Sequence, residues 1–223
     1  MEALRIIKAA FLSITELKHV LMKALVFHLV VLLAIDAAYY LEISKAGEVL
    51  LSMADTAICA LVAITTHRIL LLGPSSVPEY GVTTISKREL KYFMYLIGIG
   101  LLLLPMFVFA FIPMVGVAIC LGLFAWLVGR LSIVFPAVAL DNDFSFKDAW
   151  EMTSGFDLPM LLIVTAYPIL LAAPVGLLYK IPYGFFIGSF FYLVAVVLEV
   201  AALSMAYKYL NEKRLTNQAS GTP

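Results

Sequence analysis

The sequence predicts an all-α integral membrane protein, a polytopic helical bundle of about six transmembrane helices. Hydrophobic residues make up 63% of the 223 residues and charged residues only 13%. The mean hydropathy of +1.03 lies far outside the usual range of soluble domains. The apolar residues form runs long enough to cross a hydrocarbon core of about 30 Å, which takes roughly 20 helical residues.

The predicted spans follow one another with short polar turns between them. They cover residues 18–41, 49–72, 90–111, 115–139, 158–178 and 185–207. We expect three regions in the chain. They are an amphipathic interfacial segment over 1–17, a transmembrane domain over 18–210 and a polar cytoplasmic tail over 211–223. The first run is too long for a signal peptide and lacks a cleavage site after it, so we expect it to be retained.

The basic residues orient the predicted bundle. Eleven Lys and Arg residues lie in the N-terminal segment, the second-to-third loop, the fourth-to-fifth loop and the tail, against only Lys45 and Lys180 on the other face. Lys and Arg in short loops are retained on the cytoplasmic side. We therefore expect both termini to be cytoplasmic.

Two of the loops share a pattern: an arginine, a proline six residues later, and a serine-x-x-acid capping pair before the next helix. The positions are Arg68, Pro74, Ser86 and Glu89 in the first loop and Arg130, Pro136, Ser145 and Asp148 in the second. The pattern favours an internal parallel repeat of helices 2-3 and 4-5, a kind of duplication common in membrane folds. Independent convergence on the same loop sequence explains it nearly as well.

Two amphipathic stretches are typical of helices that lie in the membrane interface. In "FSFKDAWEMT", Phe146 and Trp150 fall on one helical face, and Phe11 takes the same position in the N-terminal segment. Tryptophan and other aromatic residues prefer this depth. The alternative is that both stretches are ordinary helical extensions of the spans.

Charged residues within spans need partners, because a charge at mid-bilayer costs about 3 kcal/mol on insertion scales. Arg130 and Glu199 fall at similar depths. We expect them to form an ion pair that ties span four to span six, with Arg68 as an alternative partner.

A functional alternative assigns some of the same groups to a proton or ion path. Its members are His28, Asp36, Asp55 and Glu199. Intramembrane acids serve such paths in pumps and transporters. Asp36 and Asp55 can also simply reach the outer interface.

Small residues and prolines mark further features of the spans. Gly184 and Gly188 form a G-x-x-x-G pair that lets another backbone approach closely, and we expect this to serve packing within the bundle. Prolines at 105, 168 and 174 interrupt spans three and five. Broken helices frame transporter sites, but prolines are also common in inert membrane helices.

The sequence contains none of the common catalytic motifs that we searched for. There is no phosphate-binding loop, no H-E-x-x-H zinc motif and no G-x-S-x-G nucleophile motif. Both cysteines fall within spans, without a C-x-x-C pair or clustered histidines, so disulfide and zinc sites are not expected. We therefore expect no enzymatic activity, no cofactor and no bound metal. The net charge of zero gives no support for nucleic-acid binding.

The run "RLSIVFPAVALD", followed by "SFKDAWEMTSG", resembles a pattern in poorly characterised bacterial inner-membrane proteins. These include the membrane domain found on some glycerophosphodiester phosphodiesterases. The resemblance covers Arg130 to Gly155, with a fainter trace from His67 to Gly73, and the catalytic domain of those enzymes is missing. It implies a multi-pass protein of the bacterial inner (cytoplasmic) membrane and carries no activity.

The sequence thus favours a non-enzymatic accessory, scaffold or assembly subunit of a larger bacterial inner-membrane complex. The expected partners are membrane lipids and other membrane proteins, or further copies of this chain. The alternative is a small transporter or lipid-handling protein that uses its intramembrane acids.

Overall fold

In the computed structural model of the chain, the described residues contain helices and turns but no strand. They are residues 2–39, 41, 44–82, 85–112, 115–181 and 183–220, without the side chains of Ala110, Asn217 and Ser220. Six helices within them are long and apolar enough to cross a membrane, which confirms the predicted number of spans. The spans are Glu2–Tyr39, Lys45–Leu72, Lys87–Phe109, Gly116–Ala139, Asp157–Leu178 and Phe185–Thr216.

Several spans are built from more than one helical segment. The α-helices are α1 (Glu2–Tyr39), α2 (Lys45–Leu72), α3 (Lys87–Leu103), α4 (Gly116–Leu131), α5 (Val134–Ala139), α6 (Phe146–Met152), α7 (Asp157–Leu161), α8 (Tyr167–Leu178) and α9 (Phe185–Ser220). A 3-10 segment, Leu104–Phe111, continues α3 beyond Leu103. A π-helical turn, Leu162–Ala166, joins α7 to α8.

The two ends of the described chain are helical and continuous with the neighbouring spans. No helix break separates residues 1–17 from the first span, because α1 is one helix of 38 residues. The tail is also helical as far as Ser220. Residues 2–17 and 211–220 contain no glycine or proline that would stop a helix. The tail residues 221–223 lie outside the described residues, as do 42, 43, 113, 114 and 182 in the predicted turns.

Helices α1 and α9 run antiparallel to each other through the bundle. Near one end, the Tyr209 hydroxyl donates to the Glu2 carboxylate at 2.8 Å. Near the other, the Ser189 hydroxyl donates to the Asp36 carboxylate. We call the first the loop end, which also holds residues 73–82, 85–86 and 140–156, and the second the turn end, with residues 41, 44, 179–181 and 183–184.

The most buried stretch of the chain is the end of α4 and all of α5. Every residue from Gly129 to Ala139 is buried. Ile133, Val134 and Ala137 have no exposed surface, and the ring of Phe135 packs on that of Tyr92 at 4.8 Å. The core of the bundle therefore forms around α5, next to the loop end.

Both predicted capping pairs are confirmed. The backbone N–H of Ser86 donates to Glu89, and that of Ser145 donates to Asp148, each at 2.8 Å. Hydrogen bonds from the Ser145 hydroxyl and backbone hold the pKa of Asp148 below its usual range. Between arginine and cap the two loops differ, since Pro74 begins a 3-10 turn and Pro136 lies inside α5.

The predicted interfacial residues have different surroundings. Phe11 is 56% exposed and Trp150 is 37% exposed. Phe146 instead turns into the bundle, where its ring meets that of Tyr95 edge to face at 4.9 Å. Its side of α6 packs against α3, and the prediction that Phe146 is an interfacial anchor stays a prediction. The predicted short helix itself is present as α6.

Gly184 and Gly188 pack within the bundle, as predicted. A Cβ atom at Gly184 would lie 1.9 Å from the carbonyl oxygen of Leu178. One at Gly188 would lie 2.8 Å from the ring of Tyr179. The two glycines therefore allow the beginning of α9 to approach the end of α8.

A substitution at Gly81 tests whether the loop after α2 packs closely against α1. It has φ +65°, and a Cβ there would lie 2.1 Å from the carbonyl oxygen of Ala24. We expect Gly81→Ala to lower the free energy of unfolding by about 2 kcal/mol or more, because left-handed strain and overpacking add. Reversible unfolding in mixed detergent micelles measures it. Gly122→Ala is the control, since open space surrounds Gly122, and equal losses for both variants would contradict the docking.

Candidate functional site

Arg130 lies in the last turn of α4 and is held on several sides. Its guanidinium donates to the Asp157 carboxylate at 2.8 Å and to the backbone oxygen of Trp150 at 2.7 Å. It also lies over the Trp150 ring, 4.2 Å from the ring centroid. The indole N–H of Trp126 donates to the same Asp157 oxygen at 3.0 Å. Arg130 therefore ties α4 to α6 and to the beginning of α7.

The predicted Arg130–Glu199 ion pair is not formed. Asp157 takes the place of Glu199, although the predicted fifth span begins only at residue 158. A tight turn after α6, with Gly155 at φ +74°, brings the chain back so that Asp157 begins α7 beside Arg130. The loop between two spans thus supplies the counter-charge that was expected from a distant helix.

Arg68 does not bind Glu199 either. Its guanidinium donates to the backbone oxygen of Ala139 at 2.9 Å and to the Asp141 carboxylate at 2.8 Å. Arg88 binds the same Asp141 at 3.2 Å and pairs with Glu89, whose side chain is fully buried. These contacts fasten α2 and α3 to the loop after α5.

The two arginines have the same local role. Ala139 is the last residue of α5, and Trp150 lies in the last turn of α6. Each arginine therefore donates to a carbonyl at the C-terminal end of a short helix, where carbonyls lack helical partners and the helix dipole favours a cation. Each also binds one carboxylate of the loop end. We call these contacts the arginine clamps, formed by Arg68 with Ala139 and Asp141 and by Arg130 with Trp150 and Asp157.

A second group of polar side chains lies between α1, α2, α8 and α9, from the turn end towards the middle of the bundle. The Ser189 and Tyr179 hydroxyls both donate to the Asp36 carboxylate, the latter at 3.1 Å. One level further in, the Cys59 thiol contacts the Tyr192 hydroxyl at 3.4 Å. We call this group the polar seam. Its members are Asp36, Asp55, Cys59, Tyr179, Ser189, Tyr192 and Glu199.

The two remaining acids complete the polar seam. Asp55 lies within electrostatic range of Asp36 and of Tyr192. Glu199 lies within such range of Tyr192, and also of Tyr167 at the beginning of α8. The seam therefore follows α9 from Ser189 to Glu199, over ten residues or about 15 Å of helix.

Three of the four residues predicted for an ion path thus lie along one seam. His28 does not join them: it is buried against the loop after α2, where its ring would be 3.1 Å from a Cβ at Gly81. The hydroxyl and thiol groups of the seam were not among the residues predicted for the path. Their spacing was a usable signal, because Cys59 follows Asp55 by four residues and therefore shares its helical face.

The polar seam carries negative groups without a basic partner in the part of the chain that is described. The ion pairs between described residues use other acids. Asp36 has two neutral donors, whereas Asp55 and Glu199 have no side-chain hydrogen bond with any described residue. Within the described ranges, no group of three or more His, Cys, Asp and Glu residues could hold a metal ion. The described residues therefore offer the acids of the seam no counter-charge.

A buried contact lies between the polar seam and the loop end. The ring Nδ1 of His67 and the Ser204 hydroxyl are 2.7 Å apart, and both side chains are fully buried. Ser204 also donates to the backbone oxygen of Val200 at 2.8 Å. The hydrogen bond between His67 and Ser204 joins α2 to α9.

Comparison with known proteins finds no matching family model, no matching curated protein and no matching solved structure. The resemblance of residues 130–155 to the membrane domain of some glycerophosphodiester phosphodiesterases therefore stays a prediction. Assignment of function rests on the geometry of this chain.

The arginine clamp at Arg130 predicts a specific pattern of coupling. In double-mutant cycles for unfolding in mixed micelles, we expect Arg130→Ala and Asp157→Ala to show an interaction energy of roughly 0.5–3 kcal/mol, since they share one network. Arg130→Ala and Glu199→Ala should add within about 0.5 kcal/mol, as separate sites do. Strong coupling to Glu199 together with additivity at Asp157 would contradict the clamp.

Proposed function

We propose that this chain is a non-enzymatic accessory or scaffold subunit of a larger bacterial inner-membrane complex. One observation carries the proposal: the fifth span packs poorly against its own bundle. In Asp157–Leu178, only 6% of the most apolar 18-residue window is buried, against 44% in the sixth span. Lipid or another protein must cover the rest of this span.

The backbone of the fifth span also favours packing against other protein. It contains a π-helical turn, Leu162–Ala166, and Pro174 lies inside α8. A proline has no N–H, so the carbonyl of Leu170, one turn earlier, loses its helical hydrogen bond. Hydrocarbon offers no donor for a freed carbonyl, whereas neighbouring helices do. A span that is both broken and peripheral therefore fits a surface that is completed by a partner.

We further propose that the loop end is cytoplasmic and holds both termini. The contact between Glu2 and Tyr209 supports a common side for the two ends of the described chain. The loops with an excess of Lys and Arg lie at this end, and such loops are retained in the cytoplasm. The paired caps at Ser86 and Ser145 support a duplication of helices 2-3 and 4-5, which we keep as a proposal.

Purification from the native membrane tests the accessory role. We expect tagged protein, extracted in mild detergent, to co-purify with another membrane protein at a fixed stoichiometry, measured by mass spectrometry. The control is a parallel extraction of an unrelated tagged multi-pass protein. Recovery of the chain alone, or only as a homo-oligomer, would contradict an accessory role in a larger complex.

The polar seam favours a second candidate, a small transporter or lipid-handling protein. Proton and cation paths in membranes use intramembrane acids. The seam holds Asp36 with two hydroxyl donors near the turn end, the Cys59–Tyr192 contact further in, and Glu199 inside the bundle. The seam would then take up a proton or cation and release it again.

Flux through reconstituted protein tests this candidate. If the seam conducts, proton or Na⁺ uptake into vesicles should fall at least about tenfold in Asp55→Asn and in Glu199→Gln, because each removes a charge from the path. The fold should persist, as measured by circular dichroism. Glu212→Gln is the control, since Glu212 is exposed on α9 beyond the seam. Wild-type protein without flux above empty vesicles would rule the candidate out.

A further inference from the structure

We propose that the groove between α8 and α9 receives a transmembrane helix of a partner protein, and that this helix carries a Lys or Arg that pairs with Glu199. The inference rests on the proposed accessory function and adds the place of contact and the chemistry of the partner.

The groove has a volume of about 390 Å³ and is lined only by apolar side chains. One wall is the face of α8 from Leu171 to Leu178, and the other is formed by Phe191, Val194, Ala195 and Leu198 of α9. Phe191 is 47% exposed and Val194 is 37% exposed, so the groove opens away from the bundle. Its size is at the small end of the range of about 300–1,000 Å³ for ligand pockets, which suits the side chains of one helix.

Glu199 lies just beyond the residues that line this groove. It follows Leu198 directly and lies one helical turn beyond Ala195, and both of these residues line the groove. On α8, Tyr167 lies one turn before Leu171 and within electrostatic range of Glu199. The apolar walls therefore lead to an acid that is half-buried within the span.

The carboxyl group of Glu199 indicates which kind of partner the groove would bind. Within the described part of the chain, no Lys or Arg forms an ion pair with this carboxylate. An unpaired carboxylate at this depth is costly, so the group either holds a proton or pairs with a basic side chain from a second helix. An acyl chain would fill the groove but would bring no counter-charge. Charge complementarity therefore favours a helix with a basic residue near its middle.

A synthetic helix provides a direct test. The purified protein is placed in phosphatidylcholine vesicles with a labelled polyleucine helix that carries one central Lys, and association is measured by energy transfer. We expect this helix to bind about tenfold more tightly than the same helix with Leu in that position, which corresponds to about 1.4 kcal/mol. Glu199→Gln should remove the preference, and Glu212→Gln should leave it unchanged.

A second pair of variants tests the groove itself. Val194→Trp fills the groove and should weaken binding of both helices, whereas Phe190→Trp, one helical turn before Val194 and outside the residues that line the groove, should not. Equal binding of the Lys and Leu helices, or no effect of Val194→Trp, would overturn the inference. So would a lipid retained in the groove that Val194→Trp displaces while helix binding is unchanged.

The same variants in the native host separate this inference from the proposed function. If Glu199→Gln and Val194→Trp lose a partner that wild-type protein retains, both proposals are supported. A partner that stays bound to both variants would overturn the groove inference and leave the accessory role standing. A wild-type chain recovered alone would contradict the accessory role itself, whereas the vesicle experiment would still report on the groove.

Discussion

The structure depends on how backbone carbonyls are satisfied where short helices end inside an apolar core. Helix α5 is buried along its whole length, and its last carbonyl, at Ala139, receives a hydrogen bond from Arg68 of another span. Arg130 does the same for Trp150 near the end of α6. A buried carbonyl without a donor costs about 1–3 kcal/mol. The arginine clamps thus hold the two places where the chain reverses beside the core.

This constraint explains why charged groups gather at the loop end. An arginine placed to donate to a carbonyl needs its own counter-charge, because an isolated cation is expensive to bury. Asp141 and Asp157 provide it, and both are considerably more exposed than the arginines that they bind. The pairs therefore keep one partner towards solvent and one towards the core, so desolvation is incomplete and the net stabilisation of each pair is modest.

The features that could be predicted from the sequence are those that depend on residues close together in the chain. Six apolar runs define six spans, and a serine three residues before an acid defines each cap. The partner of Arg130 could not be found in this way, because it is fixed by a turn at Gly155 and not by depth along a helix. At residues 17 and 211 the helices continue, because amphipathic and polar sequence changes the surroundings of a helix without ending it. The sequence indicated Asp36 and Glu199 as members of a candidate ion path, but it could not show that they lie along one polar seam.

The two candidate functions differ in how the carboxyl groups of the polar seam are neutralised. Asp36, Asp55 and Glu199 lie in a span region where the described residues offer hydroxyl and thiol groups but no basic side chain. A transporter would supply the counter-charge as an exchangeable proton or cation, so the seam would have to open at both of its ends. An accessory subunit would receive it once, from a partner, and keep it. The groove beside Glu199 opens sideways towards the bilayer instead of along the seam, and this direction favours a partner over a path.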